Sequence, residues 1–265
     1  MRIAVAGSGG RMGRTLVEAV LGAGDLALVA ALEIPGAALL GRDAGEPLGV
    51  RTGITVSVEV DAAVAGSDCL IDFTRPAGTL AHLEACLKHG KAAVVGTTGF
   101  SAGERARIAA AADRIPIALA PNFAVGVNVL FRLIDVAARS LGEDYDVEIV
   151  EAHHRHKVDA PSGTALQMGA IVAAALGRDL SESAVHGRRG NTGERAKSAI
   201  GFHAVRGGDI VGEHTVMFAG TGERVELVVR SASRMTYAIG ALRAARFLSG
   251  KRSGLFDMRD VRGRR

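Results

Sequence analysis

The first half of the chain alternates short apolar runs with segments whose apolar residues recur at helix spacing. Arg2–Ala6 reads as a buried strand, and beyond a glycine cluster Met12, Leu16, Val20 and Leu21 define one helix face. Leu26–Leu32 is the next apolar run. Cys69–Phe73 predicts a strand, Pro76–His89 a helix carrying Leu80, Leu83 and Leu87, and Ala92–Val95 another strand. Ala102–Arg114 is an Ala-rich helix and Ile115–Ala120 a strand. Alternation of this kind predicts a parallel sheet with right-handed crossovers and helices on both faces, a Rossmann-like doubly wound α/β domain.

After Asn122 the pattern changes. A helix is expected over Val125–Leu141, with Val129, Leu130, Leu133, Ile134, Ala137 and Leu141 as one apolar stripe, followed by a strand over Tyr145–Ala152. Beyond a helix at Thr164–Leu176 comes a Gly/Arg-rich loop, His186–Lys197. Three strand-like runs then follow, Ile200–Val205, His214–Ala219 and Arg224–Ser231. Few helical signals lie between them, so the second half is expected to be α+β with an open mixed sheet. A last periodic segment, Thr236–Leu248, predicts a helix that periodicity assigns to neither half.

Composition narrows the class. Hydrophobic residues make up 48% of the 265 residues, so the chain has enough apolar material for a sizeable core. Glycine numbers 35, about twice the ordinary share, without the period of collagen. The net charge of +4 arises near the C-terminus, where Arg243–Arg265 holds eight basic and two acidic residues. The rest is slightly acidic, which argues against nucleic acid and for a solvated basic end. Cys69 and Cys86 lie in apolar surroundings and fit reduced core thiols in a cytoplasmic protein. No segment reaches about 18 uninterrupted apolar residues, so no membrane association is expected.

Many glycines fall where a backbone must approach a charged ligand. Gly7, Ser8, Gly9, Gly10, Arg11, Met12 and Gly13 join the first strand to the first helix. The strict GxGxxG spacing fails at Met12, but Gly7, Gly10 and Gly13 give a GxxGxxG spacing in the context that binds a dinucleotide pyrophosphate. Glu33 closes the second strand, where a carboxylate accepts from ribose hydroxyls and repels a 2′-phosphate. The loops Gly96-Thr97-Thr98-Gly99 and Ala120-Pro121-Asn122-Phe123 follow further strands and are expected to flank a nicotinamide.

The chemistry concentrates in EAHHRHKVDAPSGTA, Glu151–Ala165. Its histidines lack the i, i+4 pairing of a helical zinc motif and Lys157 repels a cation, so no metal is expected. An anion site fits better: Lys157 brings positive charge, while Ser162, Gly163 and Thr164 offer donors at a helix start. His156 reads as a solvated loop residue and Asp159 as a capping or turn residue.

This block resembles the dihydrodipicolinate reductase family, as do VAGSGGRMG, IDFTRP at Ile71–Pro76, VVGTTGF, APNF, RRGNTGER at Arg188–Arg195, GDIVGEH at Gly208–His214 and GLFDMRDV. The resemblance covers nearly the whole chain. It implies an NAD(P)H-dependent reductase of lysine and diaminopimelate biosynthesis, a dicarboxylate substrate and a homotetramer. It also implies a dinucleotide-binding domain over 1–124, completed by 234–265, and a substrate-binding and tetramerisation domain over 125–233. His153 and Lys157 fall on the family's proton-transfer positions, and His154, Lys157, Gly163 and Thr164 on its substrate positions.

Two departures stand out. Ile34 replaces the Arg that many relatives carry after the ribose-binding Glu, so NADH is expected to serve at least as well as NADPH. The RGRR ending replaces a commoner apolar one. The loop Arg188–Arg195 reads equally as a lid or a flexible connection. On the residues alone, another NAD(P)-dependent dehydrogenase of this architecture and a non-enzymatic nucleotide sensor stay open.

Overall fold

A computed structural model describes residues 1–261; the RGRR ending lies outside the described residues. Strands β1 (Arg2–Ala6), β2 (Ala27–Leu32), β3 (Val56–Ser57), β4 (Cys69–Asp72), β5 (Ala92–Val95) and β6 (Pro116–Leu119) alternate with helices α1 (Arg11–Leu21), α2 (Val60–Ala65), α3 (Pro76–His89) and α4 (Ala102–Ala112). The second half holds α5 (Val125–Leu141), β7 (Asp146–His153), α6 (Gly163–Ala175), α7 (Leu180–Ser183) and β8 (Ala184–His186). It continues with β9 (Ile200–Arg206), β10 (Gly212–Ala219) and β11 (Arg224–Ser231). Helix α8 (Met235–Leu248), β12 (Gly254–Phe256) and α9 (Met258–Val261) close the chain. Two compact units result: Met1–Val125 with the segment from Arg234 onward, and Gly126–Ser233.

The first unit is a parallel seven-stranded sheet in the order β3-β2-β1-β4-β5-β6-β12. Strand β1 shows why its strands read as continuous apolar runs. Ile3 and Val5 face a layer holding Leu16, Val20, Ala241 and Leu248 from α1 and α8. Ala4 and Ala6 face the other layer, with Val64, Leu80, Leu83 and Ile108 from α2, α3 and α4. Both faces are covered, so no position is left for polar alternation. The doubly wound domain expected from the sequence is present, and α8 belongs to it. The order reverses beside β1, with β2 on one side and β4 on the other, which opens the crevice where such sheets bind ligands.

The second unit is a five-stranded mixed sheet, β11-β10-β7-β9-β8. Strand β7 runs parallel to β9 and antiparallel to β10. One face is covered by Leu130, Ile134 and Ala138 of α5 and by Met168 and Val172 of α6, packed on Val147, Ile149, Phe202, Val216 and Phe218. The expected stripe on α5 is corrected at Leu133, which is 47% exposed while Ile134 is fully buried. The sequence stripe spanned too wide an arc, and the tertiary contact selects the narrower one through Leu130, Ile134 and Ala138.

The short elements β3, α2, α7, β12 and α9 were not anticipated, because two to six residues carry too little periodicity. Both cysteines are buried free thiols, as expected. Among the described residues no helix is long and apolar enough to cross a membrane. Burial predicts that Ile134→Ala lowers stability by about 2–5 kcal/mol, whereas Leu133→Ala changes it by less than about 0.5 kcal/mol. Urea unfolding of both variants checks the pair.

Candidate active site

The glycine loop is shaped by contacts a side chain would block. Gly7 has a positive φ of 66°, and a Cβ there would lie 2.9 Å from Thr74 Cγ2. A Cβ on Gly13 would sit 1.9 Å from the Gly7 carbonyl oxygen, so only glycine lets the helix begin this close to the loop. Helix α1 has Gly10 at its N-cap position and no side-chain cap, which keeps the first-turn amides of Arg11 and Met12 available to an anion. Ser8 is turned inward: its N–H and hydroxyl both donate to the Leu32 carbonyl, and it is 1% exposed. Glu33 folds back on the loop, accepting from Gly9 N–H at 2.7 Å and from Ile34 N–H at 3.2 Å.

Neighbouring loops meet at the same strand ends. Gly96 packs against the Phe73 ring, which lies 5.4 Å from the Phe123 ring. Gly96 N–H donates to the Asp72 carbonyl and Ala120 N–H to that of Val95. Asn122 Oδ1 accepts from Ala124 N–H, closing the Ala120–Phe123 turn. Thr97 is buried and Thr98 exposed. The loops expected to hold a dinucleotide are therefore brought together with the glycine cradle. Sequence reading missed the group beneath them. Asp72, 1% exposed, accepts from Thr74 N–H and Oγ1 and pairs with His82 Nδ1 at 2.7 Å. Burial alone would raise the Asp72 carboxyl, but His82 and Thr74 hold it below the ordinary range. Thr79 donates to Thr97, tying α3 to the second loop.

In the second unit, β7 carries Val147, Ile149, Glu151 and His153 on its inward side and β10 carries His214, Val216 and Phe218 on its own. The polar ends of these rows coincide, since His214 is paired in register with Glu151 and Arg206 of β9 with His153. Glu151 is 1% exposed. His153 Nδ1 lies 2.6 Å from its Oε2, Arg206 donates to both oxygens at 2.8 and 2.7 Å, and Ser162 N–H donates to Oε1 at 3.1 Å. Burial would raise the Glu151 carboxyl; Arg206 and His153 outweigh it and hold it low. Burial pushes His153 down, against the opposing pull of Glu151. Burial likewise takes His214, beside His153, down to about 4.

Ser162, rather than Asp159, caps α6, accepting from Ala165 N–H. It is 2% exposed and its Oγ contacts His214 Nε2 at 3.0 Å, so its polar groups are engaged inside the protein and the expectation of a ligand donor is not supported by its placement. Lys157 donates to both Asp159 oxygens at 2.8 Å and retains a partly exposed side chain. His154 is half-buried, with its ring 6.2 Å from that of exposed His156. Gly163 is exposed at the start of α6 with Thr164 beside it.

Nearly the whole chain is covered by two family descriptions, Dihydrodipicolinate reductase, N-terminus over residues 1–123 and Dihydrodipicolinate reductase, C-terminus over residues 126–261. It is 60% identical to a 4-hydroxy-tetrahydrodipicolinate reductase of Aromatoleum aromaticum, over all of this chain and 96% of that protein. The corresponding protein of Dechloromonas aromatica is 61% identical, over all of this chain and 98% of its own length. The chain belongs to the dihydrodipicolinate reductase family. The same fold is seen in dipicolinate-bound dihydrodipicolinate reductase from Paenisporosarcina sp. TG-14, with a TM-score of 0.75 and 24% identity over 97% of both chains.

Beside the histidine block, this member of the reductase family holds a further ionic cluster. Glu148 accepts from Arg188 and Arg195 and contacts His203 at 2.7 Å. Burial would raise its carboxyl, but these partners bring it down to about 2. Both ends of the Arg188–Arg195 loop are thus tied to β7, while the residues between them are exposed.

Glu151, Arg206 and His214 were missed by sequence reading, although a signal existed for Glu151 and His214. Glu151 is in phase with Val147 and Ile149, and His214 with Val216 and Phe218, so period-two alternation places both inside.

The low folded value of His214 has a stability consequence. An unfolded histidine titrates near 6.5, so below that pH the unfolded chain takes up a proton that the folded one refuses. The contribution is full above about pH 6.5 and is lost as pH falls toward 4, amounting to about 3 kcal/mol. Urea unfolding at pH 7.5 and 4.5 is expected to show a smaller loss in His214→Asn than in the parent.

Proposed function

We propose that this chain reduces 4-hydroxy-tetrahydrodipicolinate, by way of dihydrodipicolinate, to tetrahydrodipicolinate in diaminopimelate and lysine biosynthesis. The observation that carries this reading is its 60% identity, over its full length, to a protein of that activity. The geometry supports it with a glycine cradle in one unit and a histidine–lysine anion site in the other.

A reduced nicotinamide dinucleotide, when bound, supplies the hydride. The residues that would hold it are Gly7–Met12 around the pyrophosphate, Glu33 at the ribose, and Gly96–Thr98 with Ala120–Phe123 at the nicotinamide end. The uncapped α1 start and the positive φ by which Gly7 turns the loop fit that group. Residues 1–124 and 234–265 form the dinucleotide-binding domain in this reading, and 125–233 the substrate-binding and tetramerisation domain. His154, Lys157, Gly163 and Thr164 bind the substrate carboxylates, for which Lys157 must exchange its contact with Asp159 for one with the ligand. Negative charge developing on the substrate ring nitrogen is met by Lys157 and by proton delivery from His153. The enzyme works in the cytoplasm as a homotetramer, without nucleic acid or membrane partners. The second face of the mixed sheet mixes ion pairs such as Arg224–Glu226 and Arg230–Glu213 with Val205 and Val228, 49% and 39% exposed, and is the surface this reading gives to assembly.

Electrostatics favours the cofactor without a 2′-phosphate. Glu33 keeps a carboxylate at the ribose end, and Ile34 next to it is 72% exposed and uncharged. In a coupled assay generating substrate from pyruvate and aspartate semialdehyde, NADH is expected to support kcat/KM at least equal to that with NADPH. A preference for NADPH above about tenfold, about 1.4 kcal/mol, would contradict the argument, and inactivity with both cofactors would sink the functional reading. Lys157→Ala is expected to lower kcat/KM by about 10²–10⁴ while the calorimetric affinity for NADH stays within about threefold. An equal fall in cofactor affinity would move Lys157 out of the substrate site.

A further inference from the structure

We infer that Glu151, clamped by Arg206, is the positioning residue that holds His153 with its proton on Nδ1 and leaves Nε2 as the nitrogen that carries protons to substrate. The inference rests on the reading of His153 as proton donor. It assigns a role to a carboxylate–guanidinium pair that lies outside the residues holding cofactor and substrate.

Glu151 is a buried carboxylate whose two oxygens receive four contacts. Arg206 Nη1 and Nη2 take one oxygen each, Ser162 N–H takes Oε1, and His153 Nδ1 takes Oε2 at 2.6 Å. An ionised carboxylate only accepts hydrogen bonds, so the nitrogen facing it must carry the hydrogen. In the neutral ring that puts the lone pair on Nε2. Arg206 also donates to the carbonyls of Val205 and Asp159, so neither member of the pair can turn away without breaking several bonds.

The charges around the ring fit a group that is neutral at rest. Glu151 and Arg206 cancel, Lys157 and Asp159 cancel, and His214 meets the ring edge-on at 5.1 Å. An incoming dianion that draws Lys157 away from Asp159 adds negative charge beside the ring and favours protonation at Nε2. The proton then passes from Nε2 to the reduced substrate, and the ring returns to its Nδ1–H form and is reprotonated from solvent. Hydride and proton together complete the two-electron reduction.

A purely structural role is a poor account of the pair, because well-packed apolar residues serve a core at least as well as a buried ion pair. A carboxylate that fixes a histidine tautomer explains why the apolar row of β7 turns ionic beside His153.

Nitrogen-15 NMR of histidine-labelled protein at pH 8 tests the inference directly. The His153 signals, assigned with His153→Gln, are expected to show Nδ1 protonated and Nε2 unprotonated. The opposite tautomer in the parent overturns it. Glu151→Gln/Arg206→Met removes both charges together, so no buried charge is left alone. That variant is expected to show a tautomer mixture, a kcat at least tenfold lower with a shifted pH profile, and KM values for substrate and NADH within threefold. An unchanged tautomer and kcat would reduce Glu151 to a structural residue. If the double variant does not fold, Glu151→Asp, one methylene short of the 2.6 Å contact, is expected to give the same tautomer mixing, and a parent-like spectrum overturns the inference. His153→Gln separates the two readings: full activity in that variant removes the proton-delivery role itself, whereas its inactivity beside a fully active double variant removes only the positioning role.

Discussion

A carboxylate buried without a cation is among the costliest arrangements a fold can hold, and the second unit is organised around avoiding it. Glu151 is enclosed between β7, β9, β10 and the turn before α6, and each contributes to its neutralisation or enclosure: His153, Arg206, His214 and Ser162. Removing one partner from such a pair costs about 3–5 kcal/mol. The cluster therefore fixes the relative placement of three strands and a helix start. The histidine block owes its geometry to that constraint. His153 cannot turn, α6 must begin at Ser162, and Arg206 ties the Asp159 carbonyl, which places the neighbouring Lys157.

The first unit repeats the device in another setting. Asp72 is buried at the C-terminal end of β4 and bonded to His82 Nδ1, as Glu151 is bonded to His153. Its other bonds shape the turn at Thr74, and the Thr79–Thr97 contact carries the order on to the next loop. A parallel sheet brings all strand C-termini to one edge, so flexible loops emerge together there. Asp72 gives these loops a rigid base. In both units a buried acid is satisfied by a histidine at the strand ends, where ligands are expected.

The legible features shared a physical property: they depended on short-range periodicity or on turn chemistry. Pro76–His89 and Ala92–Val95 were read with their observed limits because proline and glycine punctuate them and the apolar period is clear. The glycine loop was legible because its backbone demands are local. Leu133 was misassigned to the core because a helix stripe read from sequence has a width that only a packing partner can trim. Ser162 was read as a ligand donor because its hydroxyl is polar and near a helix start, yet those properties equally describe a cap whose oxygen faces inward.

By itself, the sequence determined the alternation of strands and helices, the change to α+β after residue 122, the glycine-rich turns and the family. All of these are written in residue type and in spacing over a few positions. Tertiary structure alone decided which nitrogen of His153 meets an acid, because Arg206 and Glu151 lie 55 residues apart and Ser162 and His214 lie 52 apart. Those contacts exist only once β7 has paired with β9 on one side and β10 on the other. Strand register, a long-range property, turns these separate polar residues into one hydrogen-bonded cluster.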